Sequence, residues 1–145
     1  MSDRDAIVET ITRLFWHTDH HRWPDVEAVF ADRVRLDYTS LQGGEPSTLS
    51  PGEIVGGWRD HFVTVPAHQH LVANHLVAVD DGDLAATATA QFIATHQFED
   101  HRWTLGGDYE FRLVRADDAG PWLIEAMTMT AVWQQPGPVP APVTA

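Results

Sequence analysis

A short polar segment, residues 17–24, contains the side chains of this sequence that are best suited to chemistry. Apolar residues recur with helical spacing before it and end at Phe15, so the segment closes an amphipathic helix. Asp19 lies four residues beyond Phe15, on the buried side of that helix and at its C-terminal end. The helix macrodipole disfavours an unpaired carboxylate there. We therefore expect a distant histidine to pair with Asp19, and we expect the pair to act as a catalytic base.

The same segment invites a second interpretation, a metal site, because His17, His20 and His21 lie close together in the sequence. Residues at positions i, i+3 and i+4 share one helix face, so these three side chains could converge, but Asp19 lies off that face. A solvated cluster is the commoner outcome of so short a motif at a fraying helix end. We predict no metal site and expect these three histidines at the surface or pocket rim. The same is expected of His61, His68, His75 and His101.

Two further histidines, His70 and His96, lie on neighbouring predicted strands. Side chains alternate along a strand, and each of these histidines shares its face with both polar and apolar residues, which suits a pocket better than a dry core. A turn centred on residues 81–82 would place His96 roughly 10–13 Å from His70 along the sheet. The two rings would then flank a small ligand from opposite sides without touching each other.

Four other side chains are candidates for binding a small substrate in such a pocket. Phe92 shares its strand face with one of the two histidines, and Trp58 lies on the core face of a predicted helix. Tyr109 could line the pocket from the next strand, although a half-buried ring with its hydroxyl in water is equally compatible with the pattern. Met129 fits either a pocket wall or core filler.

The pattern of apolar residues predicts three helices and five strands. Helix starts are marked by Ser2 or Asp3, by Trp23-Pro24, and by a capping box at residues 50–53. Strand-like alternation covers residues 34–38, 67–79, 84–98, 103–116 and 121–133. We expect an α+β fold in which three N-terminal helices pack in the concave face of a curved, mostly antiparallel sheet and leave an internal pocket.

The composition fits one domain with a proline-rich end. The 145 residues are 43% hydrophobic and 21% charged, and we predict a domain over residues 1–133 and a flexible tail over residues 134–145. A formal charge of -12 disfavours a nucleic-acid or anionic-membrane partner. The sequence lacks cysteine and an N-terminal apolar run, so we expect no disulfide, no membrane span and a cytoplasmic location.

Four short segments carry a resemblance to a known family. They are residues 18–23, 34–40, 69–71 and 94–97. The first resembles a helix end where the family places an aspartate, here Asp19, before a tryptophan. The second resembles the family's first strand, with Tyr38 at a pocket tyrosine, and the last two place His70 and His96 at active-site histidines. On these matches the chain resembles the SnoaL-like, scytalone dehydratase-like family of the nuclear-transport-factor-two-like superfamily, over about residues 3–133.

The resemblance implies a cone-shaped α+β fold, a small-molecule substrate, no cofactor and a homo-oligomer, either a dimer or a trimer. The sequence departs from the family at Thr18, where relatives carry a second pocket tyrosine, and near Glu110, where they carry an asparagine. Oligomers would form through an exposed apolar face of the sheet. The side chains expected on that face are Leu123, Met127, Met129 and Trp133.

Together these residues predict a cofactor-free elimination. His70, held by Asp19, would abstract a proton next to a carbonyl or leaving group. His96 would protonate the departing hydroxyl or hold the substrate, and Tyr38 would polarise a carbonyl. The first hypothesis is a dehydratase-type lyase acting on a small cyclic or polyketide-like substrate. An isomerase or cyclase that uses the same base, and a non-catalytic ligand-binding or scaffold protein, remain open.

Overall fold

The computed structural model of the protein describes residues 1–136, which form helical segments and one sheet. The helices are α1 (Asp3–Asp19), α2 (Trp23–Glu27), α3 (Thr39–Gln42) and α4 (Pro51–Phe62). The strands are β1 (Phe30–Asp37), β2 (Ser47–Leu49), β3 (Ala67–Val79), β4 (Ala85–Gln97), β5 (Arg102–Val114) and β6 (Leu123–Gln135). None of the helices in this part of the chain is long and apolar enough to cross a membrane.

The strands form one open, mixed sheet in the order β2-β1-β6-β5-β4-β3. Strands β3 to β6 pair in antiparallel fashion through short turns, as their period-two alternation predicts. Strand β1 is parallel to β6 and carries β2 on its other side. The predicted α+β architecture, with N-terminal helices packed on a mostly antiparallel sheet, is therefore confirmed.

Helix starts follow the predicted capping signals. Ser50 and Glu53 form the capping box at the start of α4, and the Ser2 side chain accepts a backbone N–H at the start of α1. The apolar stripe of α1 then packs against the inner face of the sheet. Its buried members are Ile7, Ile11, Leu14 and Phe15. The helix is thus fixed along its length, and its C-terminal end is directed at β3.

Two short elements, α3 and β2, are not predicted by periodicity because segments of three or four residues are too short to show it. Helix α3 is a single turn in which the Asp37 carboxylate accepts hydrogen bonds from the backbone and hydroxyl of Thr39. Other boundaries also differ, since β1 begins at Phe30 and β6 continues to Gln135. The predicted tail therefore begins too early, and residues 137–145 of it lie outside the described residues.

Strand β6 corrects the prediction of an exposed apolar face. Met127 and Met129 are 0% and 2% exposed and belong to the core. A bulge opposite Gly106 and Gly107 reverses the direction of the side chains that follow, so Trp133 is on the outer face. The exposed apolar side chains of β3, β4 and β6 are Leu71, Leu76, Val79, Ile93, Val132 and Trp133. The homo-oligomer stays a prediction.

Gly107 lets β5 and β6 approach closely at this bulge. A Cβ atom at Gly107 would overlap the backbone carbonyl oxygen of Thr130 and would lie 3.0 Å from the ring of Phe92. The carbonyl belongs to the paired strand and cannot move away without disturbing the ladder. A side chain is therefore excluded at this position.

We expect Gly107→Ala to lower the free energy of unfolding by about 1–3 kcal/mol, because overpacking against a fixed backbone forces the strands apart. Gly56→Ala in α4 is the matched control, since nothing lies within 4 Å of the added Cβ there. That control should be neutral or stabilising by up to about 1 kcal/mol through helix propensity. Urea denaturation measures both variants, and equal stabilities would contradict the packing argument.

Candidate active site

Asp19, the last residue of α1, contacts His70 of β3 as the sequence predicts. Asp19 Oδ1 lies 2.6 Å from His70 Nδ1, and Asp19 Oδ2 accepts the backbone N–H of His70 at 2.8 Å. One residue thus binds both oxygens of the carboxylate, whose side chain is only 11% exposed. A carboxylate only accepts, so we assign the proton of neutral His70 to Nδ1, which leaves Nε2 unprotonated and free for a ligand.

The surroundings of Asp19 keep its carboxyl group ionised. Burial by itself would raise the pKa of Asp19, but the hydrogen bonds from His68 and His70 outweigh burial and lower the pKa to about 2. An ionised carboxylate in contact with Nδ1 stabilises the imidazolium that forms when His70 accepts a proton at Nε2. The pair therefore has the electrostatic arrangement of a general base.

His68, predicted at the surface or pocket rim, is instead a second partner of Asp19. His68 Nδ1 lies 3.1 Å from Asp19 Oδ1, and the His68 side chain is 1% exposed. Its other ring nitrogen, Nε2, lies 2.7 Å from Nε2 of the exposed His21. The surface prediction is wrong for His68. Residues two apart on a strand share one face, and His70 is predicted in the pocket, so strand alternation also indicates the pocket side for His68.

His96 lies closer to His70 than the sequence predicts. His96 pairs with His68 across β3 and β4, and its ring centroid is 6.2 Å from that of His70. The predicted separation of roughly 10–13 Å is therefore wrong. Val79 pairs with Ala86, so the turn is centred later along the chain than predicted and the register shifts with it. Both rings can reach the same small ligand.

His96 is a buried imidazole that is neutral at pH 7. Burial, followed by the charge of nearby His70, lowers the pKa of His96 to about 4. Its ring packs against Trp103, with centroids 4.8 Å apart, and lies parallel to the ring of Phe62 at 6.0 Å. A neutral imidazole can donate or accept a hydrogen bond but is a weak acid. Its two predicted roles, as a proton donor and as a substrate ligand, stay predictions.

The inner ends of these elements enclose a cavity of about 390 Å³ with a largely apolar wall. The predicted site residues that line it are Tyr38, Trp58, His70, Phe92, His96, Tyr109 and Met129. Asp19 does not line the cavity and acts on it only through His70. The volume lies within the range of pockets that bind small molecules.

Two tyrosines form a hydrogen-bonded pair in the cavity wall. Burial raises the pKa of Tyr38 and of Tyr109, so both phenols keep their protons at neutral pH. When two hydroxyl groups share a hydrogen bond, one donates to the other and one O–H remains for a ligand. The alternative prediction of a Tyr109 hydroxyl in water is wrong, since Tyr109 is 4% exposed.

Among the described residues, Asp19, His68 and His70 are the group whose ligand atoms could hold a metal ion, since these atoms lie within 4.8 Å of one another. The oxygen–nitrogen separations of 2.6 Å and 3.1 Å are those of hydrogen bonds. A metal ion would have to replace both Nδ1 protons. The three neighbouring histidines within residues 17–21 do not form such a group in this part of the chain.

The open mixed sheet packed on N-terminal helices defines an α+β domain, and it is the fold of an NTF2-like protein from Cytophaga hutchinsonii, which is 13% identical with a TM-score of 0.71 over 91% of this chain and 100% of that one. The chain belongs to the SnoaL-like domain family, whose model matches residues 1–128. No curated protein sequence matches the chain significantly.

Solved structures share this fold over nearly the whole chain. The Kfla4162 protein from Kribbella flavida is 26% identical, with a TM-score of 0.85 over 92% of this chain and 93% of that one. A candidate scytalone dehydratase from Novosphingobium aromaticivorans is 14% identical, with a TM-score of 0.82 and coverages of 99% and 94%. A type 2 hexachlorocyclohexane dehydrochlorinase is 12% identical, with a TM-score of 0.77 and coverages of 98% and 95%. The latter two likenesses show the fold.

We expect Asp19 to make the protein sensitive to acid. Because its folded-state pKa lies below the unfolded value, its stabilising contribution is present above pH 4 and is lost as the pH falls from about 4 to about 2. A depression of this size corresponds to about 2 kcal/mol. The stability difference between wild type and Asp19→Asn, measured by urea denaturation, should therefore shrink by about that amount between pH 5 and pH 2.

Asp100→Asn is the matched control for this measurement. The Asp100 carboxylate also binds a histidine, with Oδ1 2.7 Å from His101 Nδ1, but its side chain is 88% exposed. Solvent screens such a pair, so the control should show little change over the same pH range. An equal change of stability with pH in the two variants would contradict a lowered pKa of Asp19 in the folded protein.

Proposed function

We propose that this protein is a cofactor-free lyase that eliminates water or halide from a small cyclic or polyketide-like substrate. The observation that carries the proposal is the 2.6 Å contact between Asp19 Oδ1 and His70 Nδ1 at the wall of an apolar cavity. Such a contact fixes the tautomer of a basic imidazole and stabilises its cation, which is what a general base requires. A base of this kind typically contributes about 10²–10⁴-fold to a rate.

In the proposed reaction, Nε2 of His70 takes a proton from the carbon next to a carbonyl or leaving group. The electron pair of the broken C–H bond forms the new double bond, and the C–O or C–halogen bond breaks with its electrons on the departing group. The proton on His70 passes to departing hydroxide as water, or leaves with halide. Atoms and electrons balance without an oxidant or reductant, so the chemistry requires no redox cofactor.

His96 and Tyr38 are proposed to bind and polarise the substrate. His96 is neutral, and its ring centroid lies 6.2 Å from that of His70, so it can hydrogen-bond a hydroxyl on the same ligand. The hydroxyl pair of Tyr38 and Tyr109 offers one phenolic proton to a carbonyl oxygen, which stabilises the negative charge that develops there. The rings of Trp58 and Phe92, with Met129, would hold a flat apolar ring.

The relatives support elimination as the reaction class. Two structures with the same fold are named as a dehydrochlorinase and as a candidate scytalone dehydratase, and both names describe eliminations. Their sequence identities to this chain are low, so they support only the class of reaction. The substrate class is inferred from the pocket. Its size and aromatic wall favour a small cyclic compound.

An isomerase or cyclase is the second candidate function, and the state of His96 favours it. Because burial lowers the pKa of His96 to about 4 and leaves its ring neutral at pH 7, expulsion of hydroxide would depend on the proton that His70 itself has taken, whereas isomerisation needs no leaving group. The base at His70 could instead remove a proton from one carbon and return it to another. This reaction uses the same Asp19–His70 pair and leaves the mass of the substrate unchanged.

We expect Asp19→Asn and His70→Ala each to lower turnover by about 10²-fold or more, because each removes the general base or its partner. The assay incubates the protein in D₂O with a panel of cyclic ketones that carry a hydroxyl or halide β to the carbonyl. NMR measures exchange of the α-proton, and mass spectrometry measures loss of water or halide. Circular dichroism should show both variants folded.

The surface pair provides matched controls, since Asp100→Asn and His101→Ala break the same chemical contact outside the cavity. Both controls should keep wild-type rates. Loss of mass identifies the lyase, and proton exchange with no change of mass identifies the isomerase or cyclase. Full activity in either Asp19→Asn or His70→Ala would refute the assignment of the base.

A further inference from the structure

The Asp19 carboxylate has a second histidine partner that the proposed reaction does not use. His68 Nδ1 lies 3.1 Å from Asp19 Oδ1, the same oxygen that accepts the hydrogen bond from His70 Nδ1. The other oxygen accepts the backbone N–H of His70. The carboxylate therefore accepts three hydrogen bonds, and two of them are from imidazole rings that meet at Oδ1.

The position of the His68 ring is fixed on every side. Its side chain is 1% exposed, and its face stacks on the ring of Phe62 with centroids 3.9 Å apart and planes 16° apart. Because the ring cannot turn without losing this packing, its Nδ1 stays directed at Asp19. Since the carboxylate is an acceptor only, Nδ1 of His68 carries a proton and, in the neutral ring, Nε2 does not.

His21 covers the unprotonated nitrogen of His68 from the solvent side. The Nε2 atoms of the two rings are 2.7 Å apart, so His21 donates and His68 accepts when both are neutral. The ring of His21 also stacks on Trp23, with centroids 5.2 Å apart. The hydrogen bonds thus run in one direction, from the exposed His21 through the buried His68 to Asp19.

The backbone at His21 supports a specific role for its side chain. Helix α1 ends in a Schellman motif, in which the N–H of Arg22 donates to His17 O at 2.9 Å and the N–H of His21 donates to Thr18 O at 3.2 Å. His21 has φ of 56°, the left-handed region that glycine occupies most readily at this position. A histidine here tolerates an unfavourable backbone conformation and presents its ring to His68.

We propose that His68 is a positioning residue that holds Asp19 Oδ1 against His70 Nδ1, and that His21 seals His68 from solvent. The proposal rests on the proposed function in one respect, since that function makes the Asp19–His70 pair the general base. The titratable groups that face His68 from the surrounding elements are Asp19, His21, His70 and His96. Removal of His68 would leave Oδ1 with one donor, so the carboxylate would be held by His70 alone and less firmly.

Two variants of His68 separate positioning from packing. His68→Phe keeps a ring against Phe62 but removes both nitrogens, whereas His68→Asn places an amide N–H where Nδ1 lies. The carboxyl group of Asp19 is titrated by ¹³C NMR in the resting protein. Because a lost hydrogen bond destabilises the carboxylate, its pKa should rise by about one unit in His68→Phe and remain near the wild-type value in His68→Asn.

His21→Gly tests the seal without disturbing the helix end. Glycine accepts the positive φ at this position, so the unfolding midpoint should stay the same or rise. Loss of the covering ring should nevertheless speed exchange of the His68 Nδ1 proton with water by about tenfold or more, because water then reaches and protonates Nε2 and the Nδ1 proton can leave. ¹⁵N and ¹H NMR of labelled histidine measure this exchange rate. If His68→Phe does not fold, this rate and the Asp19 pKa in His68→Asn together test the proposal.

The turnover assay supplies a second readout. His68→Phe should lower kcat by about tenfold with little change in KM, and His68→Asn should restore most of the loss, because a donor to Asp19 is what the reaction needs. An unchanged Asp19 pKa in His68→Phe, or a His68 proton found on Nε2 instead of Nδ1, would overturn the proposal. These NMR outcomes need no substrate, so they stand or fall separately from the elimination reaction.

Discussion

One carboxylate connects the first helix of this protein to the edge strand of its sheet. Asp19 ends α1, and it accepts both the side chain and the backbone N–H of His70 on β3, which is the outermost strand. An edge strand otherwise leaves such N–H groups to solvent or to another chain. The same contact therefore fixes the end of α1 against β3 and sets the tautomer of the proposed base, so that the packing of the helix and the proposed chemistry share one interaction.

The sequence predicted those parts of the fold that long periodic segments determine. The apolar stripe of α1 located Asp19, the capping box located α4, and alternation placed β3 at residues 67–79 as observed. Segments of three or four residues, α3 and β2, are too short to show a periodicity. The direction of Trp133 depends on the bulge opposite Gly106 and Gly107, which is set by the pairing of β5 with β6.

The candidate site could be predicted as a list of residues but not as a geometry. A carboxylate at a helix end predicts a histidine partner, the resemblance to the family points to His70, and the contact is present. The distance to His96 depended on hairpin register, which a shift of one residue changes. His68 shares a strand face with His70, which indicates the pocket side, but its pairing with Asp19 and its stacking on Phe62 are tertiary contacts that no sequence pattern shows.

Burial and hydrogen bonding together fix protonation states that no sequence pattern reports. Asp19 is ionised, His96 is neutral, and Tyr38 keeps its proton, so the pocket presents a base together with neutral hydrogen-bonding groups. The most direct test of the base is the tautomer of His70, measured by ¹⁵N NMR of histidine-labelled protein near pH 7. We expect a proton on Nδ1, hydrogen-bonded to Asp19, and an unprotonated Nε2. A proton found on Nε2, with Nδ1 bare, would contradict it.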